Sequence, residues 1–157
     1  MSAEESGEEP YFIGRKEDII QAKRVTKFLN GRDILVVHHD GKFYAMDEHC
    51  YHAGSSLENG DIEEFNNKLC IVCPKHKYKI TLAEGEGIYK ATNPKEKNSA
   101  ARWFSKGIKQ RVHTVMEVNG DIFVKISEVC RFIESDYYQT EEFRQEKSAC
   151  VSDESQS

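Results

Sequence analysis

The chain has 157 residues, 38% of them hydrophobic and 31% charged, with a formal net charge of −5. That length supports one domain with its own core and is too short for two ordinary ones. The acidic balance argues against a nucleic-acid binder, and no apolar run approaches the roughly 18–20 residues of a membrane-spanning helix.

The first residues, with Glu4, Glu5, Glu8 and Glu9, resemble neither an Arg-rich mitochondrial presequence nor an apolar secretory signal. A cytoplasmic protein without a membrane partner is expected. Residues 1–9 form an acidic, disordered N-terminus on this reading. Tyr11–Ile13 is the first strand. Lys23–Leu29 and Arg32–His38 follow, joined by Asn30-Gly31, a two-residue hairpin signal. Ile34-Leu35-Val36-Val37 is the longest apolar run near the start and suits a strand. Asp40-Gly41 turns the chain into Lys42–Asp47. Ile62–Phe65 and Lys68–Val72 flank a second hairpin signal, Asn66-Asn67. Tyr78–Leu82 is a return strand, and Gly85-Glu86-Gly87 is a turn. Thr92–Lys106, with Pro94 and little periodicity, is expected to be a long surface loop. Arg111–Val118 and Asp121–Ile126 form a hairpin about Asn119-Gly120. Short strands and turns at this spacing predict an all-β fold, a sandwich or barrel. Beyond Ile126 the pattern stops. Residues 128–157 form a polar extension, partly disordered, with a docked segment expected around Val129–Tyr138.

Five cysteines in a chain with no secretory signal argue against a disulfide framework. Cys70 falls on a strand and is expected to be a small buried hydrophobe, while Cys130 and Cys150 are free thiols near the end. The other two belong to a motif. Cys50-Tyr51-His52 and Cys73-Pro74-Lys75-His76 give Cys-x-His, twenty intervening residues, then Cys-x-x-His. Each segment offers one sulfur and one imidazole. Structural zinc sites usually pair Cys with Cys and His with His along the chain. One of each per loop is the donor set of a Rieske [2Fe–2S] centre, where two His replace two Cys on one iron. A zinc-binding structural module remains the alternative use of the same four side chains.

The stretch from Cys50 to Ile62, with Cys73-Pro74-Lys75-His76-Lys77-Tyr78, resembles the two cluster-binding loops of the Rieske family. The likeness covers roughly residues 11–126. It implies a Rieske fold, an antiparallel β-sandwich with a smaller cluster-binding subdomain, over residues 10–127. It also implies one [2Fe–2S] cluster, with Cys50 and Cys73 on the inner iron and His52 and His76 on the outer. Two thiolates bring an oxidised core of two ferric ions and two sulfides to zero charge, whereas four would leave it at −2. An electron is therefore added more easily than in four-Cys ferredoxins.

Respiratory-complex relatives carry an extra Cys in each loop; Ser55 and Lys75 stand there here, so no disulfide can cross the cluster. Their Ser and Tyr hydroxyls, which raise the potential, correspond by position to Tyr78 and Ile80. Ile80 cannot donate a hydrogen bond. The resemblance thus implies a low-potential, ferredoxin-type centre. Lys75, Lys77 and Lys79 oppose this, but solvent screens them; they also form a basic rim that suits an acidic docking face.

The function expected is that of a monomeric one-electron carrier between a reductase and an acceptor, with no catalytic residues and no turnover of its own. An iron–sulfur sensor or regulatory module is the alternative. An oxygenase would need a second iron on two His and a carboxylate. His38-His39-Asp40 is the tempting set, but strand neighbours point to opposite faces, so they read as exposed hairpin-end residues. His49 abuts the first loop and is expected to bond to its backbone. His113 is the remaining histidine. Arg102-Trp103-Phe104-Ser105-Lys106 with Lys109 and Arg111 could track phosphates and stack bases, but the patch is short in an acidic chain, and Trp103 reads as loop packing.

Overall fold

A computed structural model describes residues 10–92, 95, 100–127 and 131–140. The expected acidic N-terminus, Cys130, Cys150 and the polar tail lie outside the described residues. The strands in chain order are β1 Tyr11–Arg15, β2 Arg24–Leu29, β3 Arg32–His39, β4 Lys42–Asp47, β5 Asp61–Phe65, β6 Lys68–Val72, β7 Lys79–Thr81, β8 Glu86–Ala91, β9 Arg102–Ile108, β10 Val112–Val118 and β11 Asp121–Lys125. A short helix, α1, spans Lys16–Ala22, and a 3-10 segment spans Glu134–Gln139.

Two antiparallel sheets result. The larger has the order β1-β11-β10-β4-β3-β2, the smaller β5-β6-β7-β8-β9. The smaller sheet is inserted in the chain between β4 and β10, which pair through Val112 with Met46 and His113 with Ala45. The expected hairpins about 30–31, 40–41, 66–67 and 119–120 all form, and both central residues of each have positive φ. That is the type I′ geometry whose twist matches the flanking strands.

The run Ile34–Val37 explains how the sheets are held. Side chains alternate along a strand, so Leu35 and Val37 join Met46, Ile71, Ile80, Leu82, Cys50 and Cys73 in one buried cluster. Ile34 and Val36 join Ile13, Ile19, Ala45, Ile122 and Val124 in a second, on the opposite face of the large sheet. The first cluster lies between the sheets and walls in both cysteines of the motif. Cys70 is fully buried on β6, as expected.

Three local expectations are corrected. Arg102–Lys106 is not loop but part of the edge strand β9, paired with β8 from Glu86 to Ala91. Its side chains are mostly exposed and not alternately apolar, so backbone pairing rather than patterning makes it a strand. Trp103 accordingly packs from β9 against Phe65 at the end of β5, with ring centres 5.6 Å apart, and the two edges of the small sheet meet there. Gly85 closes a turn through its amide and the Thr81 carbonyl, 2.9 Å, but Glu86 and Gly87 already belong to β8. Helix α1 carries no side-chain cap and only seven residues, too few to register a 3.6-residue period; Ile19 docks it into the second cluster.

Candidate metal centre

The motif occupies two loops, 48–60 between β4 and β5, and 73–78 between β6 and β7. Their backbones repeat one another. The Cys50 amide donates to the Ser55 carbonyl and the Cys50 carbonyl accepts from the Gly54 amide, each at 2.8 Å. The Cys73 amide donates to the Tyr78 carbonyl and its carbonyl accepts from the Lys77 amide, again at 2.8 Å. Gly54 and Lys77, four residues after their cysteines, both have positive φ. Two like turns therefore face each other across the gap between the sheets.

The structure brings together all four sequence-predicted residues. Cys50 and Cys73 are wholly buried with free thiols, in one apolar cluster. His52 and His76 are exposed, with ring centres 4.8 Å apart. Burial pushes the Cys50 thiol up to about 12; the His52 amide opposes the rise, the adjacent Cys73 adds to it, and the Ala53 amide opposes it in turn. Those two amides point at the sulfur and suit a thiolate, which burial alone disfavours. Neither imidazole makes a side-chain hydrogen bond to a described residue. Two buried sulfurs beneath two exposed imidazoles with unengaged nitrogens fit an iron–sulfur cluster with mixed ligands.

The first loop is braced from both sides. The wholly buried Gln110 side chain donates to the Asp47 and His49 carbonyls, at 2.9 and 2.7 Å, and accepts from the Tyr51 amide at 2.9 Å. His49 bonds through Nδ1 to the Gly54 carbonyl, 3.0 Å, the backbone contact expected of it, and through Nε2 to Asp33, 3.0 Å. Asp33, Glu48 and His49 lie within metal-binding distance of one another. Glu48 already accepts from Ser56 and His49 is engaged on both nitrogens, so this group reads as a brace.

The sequence model of the soluble Rieske-type ferredoxins matches residues 11–129. The chain belongs to that family. Its members bind a [2Fe–2S] cluster and transfer electrons. A human Rieske domain-containing protein is 47% identical over 137 residues, 87% of each chain. The ferredoxin subunit of a 3-phenylpropionate/cinnamic acid dioxygenase from Photorhabdus laumondii is 27% identical over 97 residues, 61% of this chain and 75% of its own. The ferredoxin of carbazole 1,9a-dioxygenase from Nocardioides aromaticivorans superposes with a TM-score of 0.56 at 18% identity, covering 76% of this chain and all of that one; it shares the fold.

In this Rieske-type ferredoxin the segment 131–140 lies beyond the family match and docks beside the first loop, in the region where a docked segment is expected. Tyr138 donates its hydroxyl to the His52 carbonyl, 3.1 Å. Gln139 pairs with both backbone groups of Asp33. Beneath them, fully buried Asp47 accepts from Ser135 at 2.6 Å, from His113 at 2.9 Å and, on both carboxylate oxygens, from Arg32 Nη1 at 2.8 and 3.0 Å. The Ser127 amide donates to His113 Nδ1, which leaves Nε2 as the proton-bearing nitrogen of a neutral ring. Asp136 holds Arg111 by two bonds of 2.8 Å and Arg32 by one of 3.0 Å.

Burial opposes ionisation of Asp136, but bonds from Arg111, the Ile133 amide and Arg32 outweigh it and lower its carboxyl from the ordinary 3.8 to about 2. A depressed pKa stabilises the fold above the ordinary value and ceases to do so as pH falls through the depressed one. The denaturation midpoint is expected to drop between pH 4 and 2 in the wild type and to drop less in Asp136→Asn. Parallel urea titrations across that window check this; equal drops would deny Asp136 the role.

Other expectations change. Lys75 and Lys77 are exposed on the second loop, but Lys79 turns its ammonium over Phe65, 5.1 Å from the ring centre. The basic rim is therefore narrower than expected. His38 and His39 are only partly exposed, His38 resting on Phe43 with ring centres 4.8 Å apart. Both border a cleft of about 420 Å³ with Lys23, Arg24, Asp61 and Glu63. The basic patch at 102–111 does not assemble: Lys109 pairs with Glu134 and Arg111 is buried against Asp136. No helix among the described residues is long and apolar enough to cross a membrane.

Proposed function

We propose that Cys50 and Cys73 hold one iron of a [2Fe–2S] cluster and His52 and His76 the other, and that the protein carries single electrons at low potential between a reductase and an acceptor. The observation that carries this is the pair of matching loops, which present two buried thiols and two exposed imidazoles to one point. The bound cluster supplies a centre that takes up and gives up one electron. The chain does the rest. Cys50 and Cys73 sit in the apolar layer with Leu57 and Ile80, which excludes water from the inner side. The His52 and Ala53 amides orient the Cys50 sulfur, and Gln110 and His49 keep the loop from relaxing. His52 and His76 face solvent, where a partner can approach.

Low potential is supported by what surrounds the site. Ile80 is fully buried and offers no hydroxyl, while Tyr78 lies flat on the His52 ring, centres 4.0 Å apart and planes 17° apart. The oxygenase ferredoxins among the relatives point to a terminal oxygenase as the class of acceptor. Exposed Lys75 and Lys77 suit an acidic docking face. Redox titration of the purified protein, followed by its visible spectrum, tests the reading. We expect a midpoint near the bottom of the range of about −150 to +300 mV spanned by Rieske centres. A midpoint near the top contradicts low potential, and a zinc protein has no redox-active spectrum at all.

A further inference from the structure

The sequence places Lys106 at the end of an expected surface loop, within the basic patch at 102–111; the structure places it on the edge strand β9. Its ammonium lies 4.0 Å from the centre of the Tyr78 ring and 5.7 and 5.6 Å from the Tyr51 and Tyr89 rings, and it donates to the Tyr51 hydroxyl at 3.2 Å. The His52 ring already covers one face of Tyr78 at the same 4.0 Å separation. Two groups cannot occupy the same face so closely, so Lys106 lies on the other. Ammonium, phenol and imidazole form one stack that ends on a cluster ligand.

The surroundings are arranged to keep that charge there. Lys68 on β6 and Lys109 just after β9 are each neutralised by a glutamate. Among the described residues Lys106 has no carboxylate within ion-pair distance; rings replace it, and a ring face attracts a cation without cancelling its charge. Burial lowers its pKa, a sign that water is partly stripped from it and screens it less than it screens exposed Lys75 and Lys77. Gly87 on β8 has a structural reason: a Cβ there would lie 2.9 Å from the Tyr51 hydroxyl. The missing side chain admits Tyr51, whose hydroxyl then anchors Lys106. Tyr51 follows Cys50 and Tyr78 follows the second loop's ligands, so the ammonium touches both loops.

We propose that Lys106 is a positioning residue that raises the cluster's reduction potential through the Tyr78 ring stacked on His52. This rests on the cluster reading above. A fixed positive charge favours the state with one more electron, by an amount that falls with distance and dielectric. It offsets part of what the missing hydroxyl donor at Ile80 forgoes.

Midpoint potentials of wild type, Lys106→Arg, Lys106→Met and Lys106→Glu, each loaded with cluster, test it. Arginine keeps the charge and should stay close to wild type. Methionine keeps the stem and should shift the redox equilibrium toward the oxidised form by about threefold to tenfold, where tenfold is about 59 mV for one electron. Glutamate should shift it further the same way. The separation between methionine and wild type should shrink as salt is raised. Iron content and thermal stability of each variant separate charge from misfolding. Methionine equal to wild type, or arginine shifted as far as methionine, overturns the proposal while leaving the cluster intact. A wild type with no redox-active cluster overturns the preceding reading instead.

Discussion

Gly85→Ala is expected to cost several kcal/mol of stability and to loosen the cluster. A Cβ at Gly85 would lie 1.9 Å from the Gln110 carbonyl oxygen and 2.9 Å from its carbon. Both are backbone atoms and cannot swing aside like a side-chain tip. Gly85 also has φ of +76°, which adds strain for any residue with a Cβ. Relief would have to come from moving Gln110, whose amide group holds two backbone groups of the first ligand loop and the Asp47 carbonyl at its start. The expected loss is about 3 kcal/mol or more, with iron retained less well on dilution or mild heating. Gly41→Ala is the control: φ is +80°, but no atom lies within 4 Å of the added carbon, so only backbone strain of about 1 kcal/mol is expected. Denaturant unfolding with iron analysis of both variants measures the difference. Equal losses would show that the Gly85–Gln110 contact is unimportant.

Asp47→Ala is the second large effect. The carboxylate is fully buried and receives Ser135, His113 and Arg32. Removing it leaves the buried His113 Nε2–H and Ser135 hydroxyl without an acceptor and unbalances two arginines that share Asp136. Breaking such a buried network by deleting one partner costs about 3–5 kcal/mol. The loss should be spatially specific: residues 131–140 are held to the large sheet through Ser135 and Asp136, so they should become protease-sensitive before the sheets unfold. Limited proteolysis alongside urea unfolding checks both parts. A variant with near wild-type stability and an intact segment would contradict the network's role.

Much of the candidate site was legible in the sequence because its signal is local. Two Cys and two His at short spacings, each within one loop, define the candidate donor set without knowledge of contacts. Asn-Gly, Asp-Gly and Asn-Asn pairs between apolar runs located four turns, and the run Ile34–Val37 located a strand buried on both faces. His49 was legible for the same reason, being next to its loop. What supports the loops was not. Gln110 reaches Tyr51 across 59 positions, Ser135 reaches Asp47 across 88 and Tyr138 reaches His52 across 86. Single polar residues at such separations carry no periodicity and no motif, and only the folded chain brings them to the loop.

The differences between expectation and structure have the same physical origin. β9 is an edge strand whose outward side chains include Arg102, Phe104 and Ser105, so hydrophobic alternation could not reveal it, while its backbone ladder to β8 could. The same exposed edge conceals Lys106, which the sequence places in a diffuse basic patch; on β9 its side chain is aimed at Tyr78. Lys79 rests its ammonium over Phe65 and against the Lys77 carbonyl, contacts that the spacing of the three lysines does not carry.

The proposed site holds one two-iron cluster per chain on Cys50, His52, Cys73 and His76. Counting iron and acid-labile sulfide in anaerobically loaded protein, beside Cys50→Ser and His76→Ala, tests it most directly. About two irons and two sulfides are expected per wild-type chain, the stoichiometry of a [2Fe–2S] cluster, with loss or marked depletion in both variants. A folded wild type with zinc and no sulfide, or variants that keep the full complement of iron and an unchanged spectrum, would contradict it.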